Sequence, residues 1–99
     1  MKITVKPYLF LRQTLGFKEA ALEVPEGTNI SRLLQILRRD YKMPEKLDIS
    51  KGRLTLMNGE TLVGLIVMIN GRNIRQLDGV ETILHDGAVI SLFPPAAGG

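Results

Sequence analysis

The sequence lacks cysteine, and it contains one histidine and no tryptophan. The absence of cysteine excludes disulfide bonds, thiolate nucleophiles and cysteine-based metal sites, and it fits a reducing compartment, so we predict a cytoplasmic protein. Only His85 remains as a soft metal ligand, and no metal site is predicted. Because no serine or cysteine nucleophile accompanies His85, we interpret it as a turn residue beside Asp86-Gly87 rather than a catalytic base.

Long hydrophobic runs are also missing, since no stretch approaches the roughly eighteen apolar residues of a membrane span. The N-terminal residues alternate in polarity and do not resemble a signal peptide. With 99 residues and 44% hydrophobic side chains, the chain is predicted to form one small domain that does not enter a membrane. There is no basic stripe interleaved with aromatics, which argues against nucleic acid, and no phosphate-binding loop motif.

Charge is unevenly distributed along the chain. All thirteen lysines and arginines lie at or before Arg75, whereas residues 76–99 carry only the acids Asp78, Glu81 and Asp86. This pattern predicts a negative surface near the C-terminal tail and a partner with a basic docking face.

The helix beginning near residue 30 is the clearest element of the sequence. Its apolar positions follow helical spacing, and Thr28 or Asn29 can cap it. We expect it to end near Tyr41, because Pro44 forbids continuation. A shorter helical turn is predicted over Leu9 to Leu15, ended by Gly16.

Four segments are predicted to be strands: Lys2 to Phe10, Lys18 to Val24, Leu65 to Ile69 and Ala88 to Phe93. Because Pro7 has no backbone N–H to donate, it must lie at a sheet edge or in a bulge of the first strand. A right-handed crossover through the helix would place the last strand beside the first, which gives a mixed sheet curled over one main helix in the α+β class.

The segment between the helix and the third of these strands is harder to interpret. Met43 to Gly52 is polar and predicts a loop, with one helical turn around Glu45 to Asp48. Asn58-Gly59 predicts a tight hairpin within Arg53 to Val63, although a flexible excursion remains an alternative.

The chain closes with Phe93-Pro94-Pro95-Ala96-Ala97-Gly98-Gly99. The two prolines remove backbone donors and end the strand, while the two glycines can enter a slot too narrow for any other residue. We therefore predict a domain over residues 1–93 and a flexible diglycine tail over residues 94–99. The alternative is a frayed and inert terminus.

These residues carry a family resemblance. Ile69-Asn70-Gly71-Arg72, Leu77-Asp78-Gly79, Asp86-Gly87 and the segment Phe93 to Gly99 resemble the MoaD/ThiS family of ubiquitin-like sulfur carriers, including the archaeal small modifier proteins. The resemblance implies a β-grasp fold. The segment Glu45 to Val63 is longer than in compact members of that family.

The resemblance also implies chemistry at Gly99. An E1-like enzyme would adenylate the Gly99 carboxylate with ATP. The activated acyl group would then become a thiocarboxylate, which supplies sulfur for the biosynthesis of molybdenum or tungsten cofactor or a related product. Alternatively, it would form an isopeptide bond with a target lysine. Molybdopterin synthase large subunit and lysine-modified proteins are the further partners implied. The chain would be a monomer when free, with no catalytic residue and no bound cofactor. The residues implied for tail recognition are Gly98, Ala97, Ala96, Pro95 and Pro94.

Phe93 at the base of the tail has two interpretations, a docking anchor for the partner or a core residue. Arg38-Arg39 is interpreted most simply as a solvated helix end. A non-covalent interaction domain with an inert tail is the second functional hypothesis, and a small enzyme is the third.

Overall fold

The computed structural model describes residues 1–49, 52–59 and 61–95. In chain order, its helices and strands are β1 (Lys2–Pro7), α1 (Leu11–Leu15), β2 (Ala20–Glu23), α2 (Ile30–Asp40), β3 (Lys46–Ile49), β4 (Gly52–Thr55), β5 (Met57–Asn58), β6 (Thr61–Leu62), β7 (Ile66–Ile69), β8 (Arg72–Asn73) and β9 (Val89–Phe93). Two short 3₁₀ helices, Ile74–Gln76 and Gly79–Glu81, lie between β8 and β9.

The main sheet has the strand order β2-β1-β9-β7-β8. Strand β9 runs parallel to β1 and antiparallel to β7, so the predicted placement of the last strand beside the first is confirmed. Strand β7 has neighbours on both sides, as expected for the apolar run from residue 65 to 69. The result is a mixed sheet over one main helix, which confirms the predicted α+β, β-grasp architecture.

The core lies between one face of the sheet and α2. Along β1 and β9, alternate side chains are buried, and the α2 side chains at helical spacing pack against them. The side-chain Oδ1 of Asn29 accepts a hydrogen bond from the Arg32 backbone N–H at 2.8 Å, so Asn29 is the N-cap of α2. The predicted helix and its end near Tyr41 are confirmed. The buried side chains on these three elements are Ile3, Val5, Pro7, Ile30, Leu33, Leu34, Leu37, Ile90 and Leu92.

Strand β1 is shorter than predicted, because it ends at Pro7 rather than Phe10. Pairing with β2 stops at Val5 opposite Ala20, so Pro7 extends past the paired part of β2 and its missing N–H breaks no bond there. The chain then turns at Leu9, whose φ of 55° is incompatible with a continuing strand.

The helical turn predicted over Glu45 to Asp48 is wrong. Residues Lys46–Ile49 form β3, which pairs antiparallel with β4. The hairpin predicted at Asn58-Gly59 exists, but Asn58 is itself part of the ladder, opposite Thr61. Burial explains this register of β5 and β6, because the register places the Met57 side chain in the core, where it is 2% exposed. We refer to β3–β4 and β5–β6 together as the double hairpin.

Among the described residues, no helix combines the length and the hydropathy that crossing a bilayer requires.

Candidate functional site

The tail leaves the domain at the end of β9, and we refer to Phe93, Pro94 and Pro95 as the tail root. Pro94 is buried and Pro95 is half-buried, so both prolines pack on the domain. Ala96, Ala97, Gly98 and Gly99 lie outside the described residues. The flexibility and the recognition of these four residues stay predictions, and the structure describes the site from which they depart.

An aromatic stack supports the tail root. The rings of Phe93 and Tyr8 are 4.5 Å apart between centroids and inclined by 11°. The guanidinium carbon of Arg12 lies 5.5 Å from the Tyr8 ring centroid, and Arg12 Nε donates to the Pro7 carbonyl at 3.3 Å. A stacked pair contributes about 0.5–1.5 kcal/mol beyond its buried area, so this layer of Arg12, Tyr8 and Phe93 holds the end of β9 in place.

The backbone brings the two rings together. Strands β1 and β9 are parallel, and the Tyr8 N–H donates to the Leu92 carbonyl at 2.9 Å, immediately past the last residue of β1. Because side chains alternate along a strand, Leu92 enters the core and Phe93 lies on the opposite face of the sheet. Phe93 is therefore not a core residue, and its role as a docking anchor stays a prediction.

Two exposed apolar side chains lie at this end of the fold. Ile66 is paired with Phe93 across β7 and β9 and is 40% exposed. Leu9 is 68% exposed and follows Tyr8 directly, with its backbone in the left-handed region. Such a conformation costs a leucine about 1–3 kcal/mol. An exposed leucine held in a strained turn beside a half-buried aromatic stack is typical of a surface that a partner covers.

Sequence reasoning identified Phe93 but missed Tyr8, Arg12, Leu9 and Ile66. The alternation Ile3, Val5, Pro7 places Tyr8 on the outer face of β1, and the predicted pairing of the first and last strands would then have brought it close to Phe93. The two observations together were sufficient to find the stack.

The prediction of a negative surface near the tail is wrong for Asp86, one of the three acids on which it rested. Asp86 Oδ1 accepts a hydrogen bond from the Lys2 backbone N–H at 2.7 Å, at the start of β1. Since β1 and β9 are parallel, this is the opposite end of both strands from Phe93. His85 lies in the same turn, where its carbonyl accepts from the Ala88 N–H at 3.0 Å, so its interpretation as a turn residue is confirmed.

The arginines at the end of α2 have structural partners. Arg38 donates to Glu45 Oε1 at 2.9 Å and to the Gly59 carbonyl at 3.2 Å, which ties α2 to the double hairpin. Arg39 donates to Asp40 at 2.8 Å. That hydrogen bond lowers the pKa of the Asp40 carboxyl below its ordinary value and raises the pKa of Arg39, with the attraction of opposite charges acting in the same direction. Both groups are exposed, so the pair adds little to stability.

The chain is similar to known proteins over its whole length. The model of the ThiS family matches residues 9–99. Small archaeal modifier protein 3 of Haloferax volcanii is 32% identical over 99 residues, which is 100% of both chains.

Solved structures of proteins with the same fold are consistent with the match to the ThiS family. The solution structure of small archaeal modifier protein 1 from Methanosarcina acetivorans is 31% identical, with a TM-score of 0.72 over 99% of this chain and 96% of that one. One chain in the crystal structure of the Amycolatopsis orientalis BexX/CysO complex has the same fold, with a TM-score of 0.69, 21% identity, and coverage of 98% of this chain and 99% of that one. The chain therefore belongs to the ThiS family and is a ubiquitin-like carrier or modifier protein with a β-grasp fold.

Proposed function

We propose that the Gly99 carboxylate is the reacting group of this protein and that a separate E1-like enzyme activates it. The observation that carries the proposal is the extent of the family match, which runs from residue 9 to residue 99 and so includes the diglycine. A free carboxylate is a poor acyl electrophile. Attack by a carboxylate oxygen on the α-phosphate of ATP releases pyrophosphate and leaves an acyl adenylate, whose leaving group is AMP. ATP binding and catalysis belong to the partner.

Two nucleophiles can use the acyl adenylate. A hydrosulfide-equivalent sulfur donor attacks the Gly99 carbonyl carbon, AMP departs with the electron pair of the broken C–O bond, and a thiocarboxylate remains for transfer to molybdenum or tungsten cofactor synthesis or a related pathway. Alternatively, the amine of a target lysine attacks the same carbon, AMP again departs with the electron pair of the broken C–O bond, and loss of a proton from the nitrogen leaves an isopeptide bond. The names of the relatives support both uses, since they include archaeal modifier proteins and a putative sulfur carrier protein of Archaeoglobus fulgidus.

The tail root would be where the partner docks. The BexX/CysO complex supports the view that a protein of this fold works in contact with a second protein. In this chain, the half-exposed Phe93 lies directly before the two packed prolines, and Leu9 and Ile66 add apolar surface around it. A partner that covers this surface receives the tail at a defined position.

Truncation of Phe93 tests this docking role. Phe93→Ala is expected to raise the KM for the carrier in adenylation by about tenfold, because a well-packed aromatic anchor contributes more than about 1 kcal/mol to binding. ATP–pyrophosphate exchange with the cognate E1-like enzyme measures the effect.

Phe17→Ala is the matched control for that variant. Phe17 is another incompletely buried aromatic, and its ring contacts Tyr41 at 5.2 Å rather than the tail root. It should leave the KM unchanged, provided that both variants are compared below their unfolding temperatures. Equal KM values for Phe93→Ala and the unaltered protein would reject Phe93 as the anchor.

A non-covalent interaction domain with an inert tail is the competing function, and the same exposed apolar surface favours it. Intact-mass spectrometry of the protein from its native host separates the hypotheses. A thiocarboxylate adds the mass of an oxygen-to-sulfur exchange at Gly99, and digestion of conjugates reveals Gly-Gly isopeptides on lysine. We expect both species. Thiocarboxylate alone would limit the protein to a carrier and conjugates alone to a modifier, whereas neither species under several growth conditions would reject the proposal.

A further inference from the structure

The double hairpin joins the main sheet at a tightly bonded corner. The Leu56 carbonyl accepts hydrogen bonds from three successive backbone N–H groups, those of Val63 at 3.0 Å, Gly64 at 3.2 Å and Leu65 at 3.1 Å. Leu56 is fully buried, and its own N–H donates to the Glu45 carbonyl at 2.7 Å. We call this arrangement the Leu56 corner, and its bonds fix the backbone of residues 63–65 against the end of β4.

Pro95 packs on this corner. A Cβ atom built on Gly64 would lie 2.6 Å from the Thr55 carbonyl oxygen, 3.0 Å from Cγ of Pro95 and 3.1 Å from Cβ of Pro95. Real Cβ atoms do not make contacts as short as the first of these, so any side chain at position 64 would force the neighbours apart. Glycine is therefore required here by close approach. We call the Gly64 backbone, the Thr55 carbonyl and the Pro95 ring the proline seat.

We propose that the double hairpin has a role in the carrier reaction: through the proline seat, it fixes the point from which the reactive tail starts. This inference rests on the proposed function of Gly99. The effective tail then begins after Pro95 rather than after Phe93, and Gly64 is a positioning residue that touches no substrate.

The seat sets the reach of the Gly99 carboxyl. Four residues, Ala96 to Gly99, follow Pro95. A fully extended chain of that length spans about 14 Å, compared with about 21 Å for the six residues that follow Phe93. In the complex with the activating partner, Pro95 must therefore lie within about 14 Å of the partner's adenylation centre. The docking surface around Phe93 meets this requirement, because Phe93 is only two residues before Pro95.

Fixing Pro95 should favour productive binding, because a tail that starts from a defined position and direction loses less entropy when it enters a channel. Loss of the seat should then appear mainly in the KM for the carrier, with a smaller change in kcat. A purely structural role of Gly64 would lower the unfolding temperature without that change in KM.

The first test uses the isolated protein and does not depend on activation. We expect nuclear Overhauser contacts between the Gly64 Hα protons and the Pro95 ring protons in the unaltered protein, and their loss in Gly64→Ala. Their absence from the unaltered protein would overturn the inference whatever Gly99 does.

The second test is a double-mutant cycle over Gly64→Ala and Pro95→Ala, read by ATP–pyrophosphate exchange with the cognate E1-like enzyme. Pro95→Ala removes the ring and leaves the approach of Gly64 to Thr55 intact, so it remains informative if Gly64→Ala folds poorly. We expect each single variant to lower kcat/KM about tenfold through KM, and the double variant to lose less than about threefold more than either, because both remove the same contact.

Pro25→Ala is the matched control for loss of a proline. Pro25 is exposed in the turn before α2, and its replacement should leave kcat/KM unchanged. Independent losses that multiply to about a hundredfold in the double variant would show that Pro95 acts by touching the partner directly, and would overturn the positioning role. An unaltered protein that shows the ring contacts but is never adenylated would reject both the proposed function and this role, while the packing of Pro95 on Gly64 would stand.

Discussion

Gly98→Val is expected to lower kcat/KM for adenylation by at least about 100-fold while leaving the thermal unfolding midpoint unchanged. A branched side chain would collide with the wall of a channel shaped for glycine, and displacing the reacting carboxyl by about 1 Å is enough for a loss of this order. The fold should tolerate the change, because position 98 follows the last strand, which ends at Phe93. ATP–pyrophosphate exchange and a thermal melt measure the two quantities on the same preparation.

Two further variants make this result specific. Gly98→Ala adds a single methyl group and should cause a smaller loss, since one methyl-sized change in a tight pocket is worth about 1–3 kcal/mol. Thr61→Val introduces valine at an exposed position of β6 and should leave adenylation unchanged. Unimpaired adenylation of Gly98→Val would show that the partner does not enclose the tail in a narrow channel.

The parts of the fold that follow from the sequence are those in which a local pattern and burial agree. The spacing of Ile30, Leu33, Leu34 and Leu37 matches one face of α2, and Asn29 supplies the cap, so that helix was predicted with its ends. Strand β9 was placed beside β1 for a similar reason, because an apolar last strand cannot lie at an exposed edge without cost. The first inference depends on one helix and its own side chains, and the second also uses the right-handed crossover through that helix.

The errors occur where a structure depends on a partner that the local pattern does not reveal. Residues 46–49 are polar enough to predict a loop, and they form a strand only because β4 pairs with them. Asp86 is close to the tail in sequence, but strand β9 lies between them and carries the chain from one end of the sheet to the other. Distance along the chain was therefore a poor guide to the charges near the tail.

Gly64 shows the same limit within the candidate site. It lies between Val63 and Leu65 with no turn motif around it, and its role emerges only when β4 and Pro95 come together from distant parts of the chain. The sequence proposes Gly99 as the reacting end of the molecule, and that proposal stays a prediction, whereas the surface on which Pro95 packs required the structure.

Addition of one alanine after Gly99 is expected to abolish both thiocarboxylate formation and conjugation to lysine, with product below the detection limit. The added residue converts the Gly99 carboxylate into an amide, which cannot be adenylated, and places the new carboxylate one residue, about 3.5 Å, further from the proline seat. Intact-mass spectrometry after incubation with the E1-like enzyme, ATP and a sulfur donor measures the loss.

The same extended protein separates the carrier or modifier from an interaction domain with an inert tail. An interaction domain binds its partner through surface that the extension does not alter, namely Phe93, Leu9 and Ile66, so its affinity should stay within about threefold of the unaltered protein. The carrier hypothesis predicts that the extended protein still docks, because the aromatic stack and the proline seat are intact, and that it competes with the unaltered protein for the E1-like enzyme without being consumed. Adenylation of the extended protein at an undiminished rate would show that Gly99 is not the residue that reacts.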